Sequence, residues 1–309
     1  MKSFIARFVL LPVSVIFLLS CNDDSSELHK EKEMRLLRQY LDSKNIETEP
    51  LSSGLYFIST GEGAGAVPQK DDWVVVRYTA RLINDRIFDT TDESLAVKNN
   101  IYSTSVLYGD RRIEMKSLFR GAQEGLQLMK EGGTAKWIIP SHLAYGNKST
   151  ATIPAYSTLI YDIELVRVIK DPEAYEQQLI NDYLALYNHA DSAHLVIEKI
   201  ESSGIYYIEL FEGAGETHPE DSDKVHVYYT GSLTDGRVFE SNVGGTPYIF
   251  AIGSGSSVTG FEEGVKLMKS QGRARVLLPS STAYGPAGSG SLIAGYTPLV
   301  FELHLAKIE

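Results

Sequence analysis

Two stretches with one layout constrain this chain more than any other feature: VVVRYTARLINDRIFD, Val74 to Asp89, and VHVYYTGSLTDGRVFE, Val225 to Glu240. In the second, Val225, Val227 and Tyr229 alternate with His226, Tyr228 and Thr230. That is the period-two pattern of a strand with one buried face. Asp235-Gly236 then predicts a tight hairpin turn, because glycine accepts the positive φ such turns require. Phe239 follows on the return strand, so Tyr229 and Phe239 point into one concavity. In the earlier stretch Tyr78 answers Tyr229, Phe88 answers Phe239, and Asp89 answers Glu240. The chain therefore holds one sheet-built pocket twice.

The repeat extends beyond the hairpin. Ser52-Ser53-Gly54-Leu55-Tyr56 returns as Ser202-Ser203-Gly204-Ile205-Tyr206, an offset of 150 residues. The offset is 151 at Tyr78 and Tyr229 but 139 at Ala144 and Ala283, which places an insertion in the first copy between Asp89 and Gly121. Each copy reads as strand, hairpin, loop, one short helix, strand, loop and strand. Thr259-Gly260-Phe261-Glu262 has the pattern of a capping box opening the short helix. The final segments, Leu159 to Val168 and Leu299 to Ile308, alternate again. The class is α+β, an antiparallel sheet wrapped on one helix. At 309 residues the chain accommodates two such domains.

Two further segments carry helical spacing. Glu27 to Asn45 places Met34, Leu37 and Leu41 on one stripe, with mixed charge between them. From Asp171-Pro172, a helix start, Leu179, Tyr183, Leu186 and Tyr187 form a second stripe. The expected divisions are a signal peptide at 1–20, a tether and helix at 21–50, and a first domain at 51–169 with its insertion at about 90–120. A helical connector at 170–201 and a second domain at 202–309 complete the chain.

The leader is read from charge and hydropathy. Lys2 and Arg7 precede an apolar run from Phe8 to Leu19, and Leu18-Leu19-Ser20-Cys21 follows. A charged start, a short apolar core and a small residue before the cut make a secretory signal. The run is too short for a comfortable membrane span. Cys21 is the single cysteine, so no intramolecular disulfide can form. Its setting resembles a bacterial lipobox, which implies that Cys21 is acylated and becomes the mature N-terminus. The acidic Asn22-Asp23-Asp24 segment is similar to the tethers of Bacteroidetes surface lipoproteins. Together these predict an envelope lipoprotein, on the outer membrane or the periplasmic face, held to the membrane by its lipid alone.

Other classes are excluded by charge and spacing. Loss of residues 1–20 takes two positive charges from a net charge of -11, leaving -13. Nucleic acid needs a basic footprint and anionic lipid a basic surface, so neither is an expected partner of the folded protein. The histidines form no ligand cluster, so no metal is expected. There is no Gly-x-Ser-x-Gly elbow. Gly61 to Gly65 is followed by strand-like residues and not by a helix N-terminus, so it is a turn and no phosphate cradle. No cofactor is expected.

Taken in order, Tyr229-Thr230-Gly231, Asp235-Gly236, Phe239, Gly253, Gly260 to Val265, Met268, Ala283-Tyr284-Gly285 and Phe301 resemble the FKBP-type peptidyl-prolyl cis–trans isomerase domain. The resemblance covers nearly all of 202–309 and, more loosely, 51–169. It implies two FKBP-like domains, each with a shallow aromatic pocket for a proline ring. In the second, it places Tyr229, Phe239, Tyr248, Phe250, Val258, Phe261, Ile293 and Phe301 around that pocket. Tyr284 and the backbone near Val258 are implied to hold substrate carbonyls, and Glu240 stands where the family has aspartate. In the first, the matching residues are Tyr78, Phe88, Asp89, Phe119, Tyr145, Ile153 and Tyr161.

The two copies depart from the family differently. The first keeps Asp89 and Ile153-Pro154 but has Ala122 at the floor, where the second has Phe261. The second has Ile293-Ala294-Gly295 where Ile-Pro-Pro is common. An alanine floor predicts a void under the ring, so the second pocket is expected to be the better proline site. The implied function is isomerisation of X–Pro bonds in proline-containing segments of exported or envelope proteins, as a folding aid. The alternative is a non-catalytic pair of FKBP-like modules acting as a tethered chaperone or scaffold, which loss of an aromatic floor favours.

Overall fold

A computed structural model of the protein describes residues 23–189 and 196–309; the apolar leader and Cys21 lie outside the described residues. Two antiparallel sheets form, one from each copy of the repeat. The first contains β1 (Tyr56–Gly61), β2 (Trp73–Leu82), β3 (Ile87–Thr90), β4 (Arg111–Glu114), β5 (Thr134–Ile139) and β6 (Leu159–Ile169). Its order is β1-β5-β6-β2-β3, with β4 also on β2. Strand β2 pairs with β6 along its length and, on its other edge, with β4 through its first half and β3 through its second.

The second sheet repeats this order with β8 (Ile205–Phe211), β9 (Lys224–Leu233), β10 (Val238–Ser241), β11 (Tyr248–Ala251), β12 (Arg273–Leu278) and β13 (Leu299–Ile308). It adds one strand, β7 (Ile197–Ile200), paired with β8. The end of the expected helical connector is thus a strand of the second sheet. The hairpin turns where its sequence indicated: the Leu233 amide bonds the Arg237 carbonyl at 2.9 Å, and Gly236 has φ +87.

Among the described residues, five α-helices lie against or beside the sheets: α1 (Asp23–Ser43), α2 (Glu93–Lys98), α3 (Arg120–Gln127), α4 (Pro172–His189) and α5 (Thr259–Lys266). α3 and α5 are the short inner helices, and α2 lies within the insertion. In α5, Phe261 and Val265 sit one turn apart, and both are buried with Met268 against β12 and β13. The expected capping box is not formed. The N-cap is Val258, and Glu262 accepts from the Gly253 amide at 2.8 Å, binding the preceding loop to the helix. Thr259 is already helical and turns its hydroxyl to the Thr282 carbonyl.

The long helices cover the outer faces. α1 begins at Asp23, earlier than the tether reading placed it, and buries Leu37 and Tyr40 on Ile138 and Ile160. Met34, expected on the stripe, is exposed. α4 buries Ile180 on Leu277 and Val300, with Tyr183 and Leu184 beside it, while Leu186 faces solvent. Each sheet therefore lies between a short inner helix and a long outer one. The repeating unit includes the helix that precedes each domain. Among the described residues, no helix is long and apolar enough to cross a membrane.

Candidate functional site

In the second domain, five elements bring expected residues into one aromatic cluster, with Glu240 beside Tyr229. Tyr229 comes from β9, Phe239 and Glu240 from β10, Tyr248 and Phe250 from β11, Phe261 from α5, and Phe301 from β13. Phe261, 1% exposed, is the floor. Its ring meets Phe301 at 5.1 Å and Tyr229 at 5.4 Å, both edge to face, with Phe250 at 6.0 Å. Such T-shaped pairs place ring edges on ring faces, the favoured aromatic geometry. Phe239 packs edge-on against Phe301 at 5.8 Å, and Tyr248 against Tyr229 at 6.2 Å. Gly231 makes the Phe239 contact possible: a Cβ there would lie 2.6 Å from the Phe239 ring and 2.9 Å from Phe301.

Burial sorts these residues into two layers. Phe250, Phe261, Ile293 and Phe301 are buried and form the base. Tyr229, Phe239, Tyr248 and Val258 are partly exposed and form the walls. Tyr284, following the 3-10 turn Ser280–Thr282, is 37% exposed at the rim, near Glu240. The Tyr248 hydroxyl donates to the Ser256 carbonyl at 2.7 Å, which fixes that wall. The Val258 carbonyl already accepts from Phe261 and Glu262 at the start of α5. Burial, with the Glu240 carboxylate beside it, pushes the Tyr229 hydroxyl well above the ordinary tyrosine range; burial and then Glu240 raise Tyr284 also. The rim is thus neutral phenol beside one exposed carboxylate.

The first domain brings its seven expected residues together as well, but the pocket they make is different. Tyr161 is the hub, with Tyr78 at 5.5 Å, Phe119 at 6.1 Å, and Phe88 edge-on at 6.3 Å. Phe119 also meets Tyr145 at 5.7 Å, and Ile153 is buried below. The void expected over Ala122 is not there. Trp137 of β5, 1% exposed, packs its indole against α3 at Gly125 and lies 6.2 Å from Tyr161. The equivalent strand residue in the second domain is Val276, which packs on α5 at Gly264. A large helix residue over a small strand residue has been exchanged for the reverse, with total volume kept.

Sequence reasoning missed Arg111. Pairing of β4 with β2 puts Arg111 opposite Val76, and pairing of β11 with β9 puts Tyr248 opposite Val227. Arg111 therefore occupies the position of the Tyr248 wall. Its guanidinium lies over the Tyr78 ring at 5.1 Å, hydrogen-bonds the Tyr78 hydroxyl, and pairs with Asp89 at 3.0 Å. Tyr78 in turn donates to Asp89 at 2.6 Å. Burial pushes the Tyr78 hydroxyl up; Arg111 opposes that and Asp89 adds to it. One wall of the first pocket is a satisfied ion pair, not an aromatic ring. The clue lay in the register, which the insertion hid.

Also missed were two glutamates. Glu33 of α1 accepts from the amide and hydroxyl of Ser141, each at 2.6 Å, and from Thr158 at 2.8 Å. Glu176 of α4 accepts from the amide of Ser280 and from its hydroxyl at 2.8 Å. Ser141 and Ser280 open the 3-10 turns that lead into Tyr145 and Tyr284. Each outer helix thus holds a loop of the site through a buried carboxylate. On a helical wheel such a glutamate reads as solvated surface.

Both domains match one family of known proteins. Residues 65–166 and 215–306, more than half the chain, match the family described as FKBP-type peptidyl-prolyl cis-trans isomerase. The "Probable FKBP-type peptidyl-prolyl cis-trans isomerase FkpA" of Neisseria meningitidis is 33% identical over 144 residues, 46% of this chain and 47% of its own length. Human "Peptidyl-prolyl cis-trans isomerase FKBP10" is 28% identical over 239 residues, 77% of this chain and 34% of that protein. The chain spans about half or less of the length of these relatives. Among solved structures, FkpA from Escherichia coli is 28% identical over 48% of this chain and 64% of that chain, with a TM-score of 0.39.

Proposed function

This chain belongs to the FKBP-type peptidyl-prolyl cis-trans isomerase family in both of its domains, and on that premise we propose that it isomerises X–Pro bonds in exported or envelope proteins, chiefly at the second pocket. The observation that supports this reading is the aromatic cradle over Phe261, with Tyr229, Phe239 and Tyr248 partly exposed around it and Tyr284 beside Tyr229. The reaction makes and breaks no covalent bond. A peptide C–N bond resists rotation by roughly 18–20 kcal/mol through its partial double-bond character. The two states of an X–Pro bond are close in energy yet exchange slowly. Rotation removes the resonance and with it the charge separation of the planar amide. A dry aromatic cradle favours the twisted, less polar amide over the planar one, which is selective stabilisation of the transition state. In this reading the proline ring rests on Phe261 between Tyr229 and Phe239, and Tyr284 donates to a substrate carbonyl.

The first pocket supports the second reading, a binding module without strong catalysis. Its Arg111 puts a fixed charge where the other pocket has the Tyr248 ring, and charge favours the polar planar amide. We assign Cys21 as the lipid attachment point, on the strength of the apolar run ending at Leu18-Leu19-Ser20. The client is then an envelope protein met at the membrane surface.

A proline-isomerisation assay on the full chain tests the activity, with Phe239→Ala and Phe88→Ala assayed separately. Wild-type protein should accelerate exchange, and Phe239→Ala should remove most of the rate. Exchange at the uncatalysed rate in wild-type protein would leave only the binding reading. The anchor is tested by Cys21→Ser, which should move the protein from the membrane to the soluble fraction; a variant still sedimenting with membranes overturns the lipid assignment.

A further inference from the structure

The loop that completes the second pocket is held from outside its own domain. Residues 285–297 run from Tyr284 past Ile293, which is buried in the base of the site, and on to β13. The Tyr296 amide bonds the Gly285 carbonyl at 3.0 Å, next to Tyr284. Gly295 presses on the same segment: a Cβ there would lie 1.9 Å from the Pro286 carbonyl oxygen and 3.1 Å from the Trp73 indole. Trp73 belongs to β2 of the first domain, and its ring meets Tyr296 edge-on at 6.0 Å. Arg112 of β4 then donates to the Gly295 carbonyl at 2.8 Å and to the Thr297 hydroxyl. The Thr297 hydroxyl in turn donates to the Ala294 carbonyl at 2.6 Å.

The first domain supplies an internal control. Its equivalent tyrosine, Tyr156, bonds the Gly146 carbonyl at 2.7 Å and stacks at 5.0 Å on His29 of α1. There the outer helix supports the loop through two residues four apart, His29 and Glu33. In α4 the residue four before Glu176 is Pro172, the first of the helix, which has no aromatic ring to stack on Tyr296. The place left by the shorter helix is taken by Trp73 and Arg112. Arg112 also lies over the Tyr175 ring at 5.8 Å, so its guanidinium is wedged between α4 and the loop.

We propose that Arg112, in the first domain, is a positioning residue for the second domain's pocket, holding loop 285–297 so that Ile293 and Tyr284 keep their places. The proposal deepens the isomerase reading and rests on it for its kinetic part only. The insertion makes the arrangement possible, because Arg237 from the second domain's hairpin donates to the carbonyls of Tyr108 and Asp110, each at 3.0 Å. β4 thereby lies between the two pockets. Arg111 reaches into the first and its neighbour Arg112 onto the wall of the second, as successive residues of a strand must.

The test compares the full chain with Arg112→Ala, Arg112→Lys and Thr297→Val. By hydrogen exchange, the amides of Ser289, Ile293 and Tyr296 in Arg112→Ala should open about tenfold faster, the effect of losing hydrogen bonds from a charged donor. Amides of β12 and β13 should keep wild-type protection. Lysine should restore part of the protection, and Thr297→Val, which keeps the guanidinium, should loosen the same amides less; it serves if Arg112→Ala does not fold. Kinetically, kcat/KM should fall about threefold to tenfold in Arg112→Ala, and should fall no further in a chain already carrying Phe239→Ala. Unchanged exchange in the loop, or equal loosening of β12 and β13, overturns the proposal. So does an equal kinetic loss in both backgrounds. Were wild-type protein to lack isomerase activity, the function proposed above would fall while the exchange arm still decided the clamp.

Discussion

Tyr229 packs on Phe261 and Phe239 on Phe301, and replacing them separates two ways in which the cradle can work. Phe239→Ala removes a wall, its packing on Phe301 and the exclusion of water, so it should be the most damaging change. Tyr229→Phe keeps the ring and loses a hydroxyl, at about 0.5–1.5 kcal/mol in transition-state binding. Glu240→Gln removes an exposed charge at the rim and should be similarly mild. kcat/KM in folded variants gives the order directly; a dead Glu240→Gln beside an active Phe239→Ala would point to acid–base chemistry and away from the cradle. The pH profile follows from the same residues. Burial favours neutral Tyr229 and Tyr284, raising both hydroxyls. A raised tyrosine pKa contributes stability fully below its unfolded value of about 10, lost as pH rises through the higher folded value. Activity should therefore be flat from about pH 6 to about pH 9 and decline only above about pH 10. Tyr229 and Phe239 were legible from alternation on paired strands, whereas Tyr248, Phe250, Phe261, Tyr284 and Phe301 were legible only through the family resemblance. Arg111 was not legible, since its role depends on a register that no local pattern fixes once an insertion intervenes.

Within single elements, the exchange of Phe261 over Val276 for Ala122 beneath Trp137 shows how a core is kept while its parts move. The sequence pairs Ala122 with Phe261 readily, and the inference of a void was reasonable from the helix alone. It failed because the compensating volume sits on the neighbouring strand, and strand partners are tertiary facts. A prediction follows at this scale. Ala122→Phe alone should destabilise the protein, by roughly 1–3 kcal/mol, since the ring would enter space that Trp137 fills. Adding Trp137→Val should recover most of that loss, the two sites being in one packed unit. Denaturant midpoints of the single and double variants settle it: additive losses would mean that the indole does not occupy the floor. The same scale explains the missed capping box. Thr259 and Glu262 have the right spacing, but the backbone enters the helix one residue early, at Val258, and the Glu262 carboxylate serves Gly253 in the loop instead.

Across the whole molecule, the duplication was legible and its extent was not. The hairpins announce two domains, yet the unit that repeats begins a helix earlier, with Glu33 and Glu176 gripping Ser141 and Ser280. Helical spacing alone assigns α1 and α4 to tether and connector, because two helices with charged faces look alike whether they join domains or complete them. Their true assignment rests on buried carboxylates, which desolvation makes costly unless every oxygen is paired, as these are. This has a direct consequence for dissecting the chain. A fragment cut at residue 202 begins where the sequence repeat begins, but it discards β7, Ile180 and Glu176. Burial of Ile180 on Leu277 and Val300 contributes about 1.5–3 kcal/mol. The Glu176 hydrogen bonds to Ser280 contribute about as much again, being bonds to a charged acceptor. Residues 172–309 should therefore melt higher than residues 202–309, by on the order of 10 °C or more for a domain of this size. The shorter fragment should also show faster amide exchange at Ser280 to Thr282, the turn that leads into Tyr284. If both fragments melt together with equal protection there, α4 is a connector after all, and the helix-plus-domain repeat is wrong.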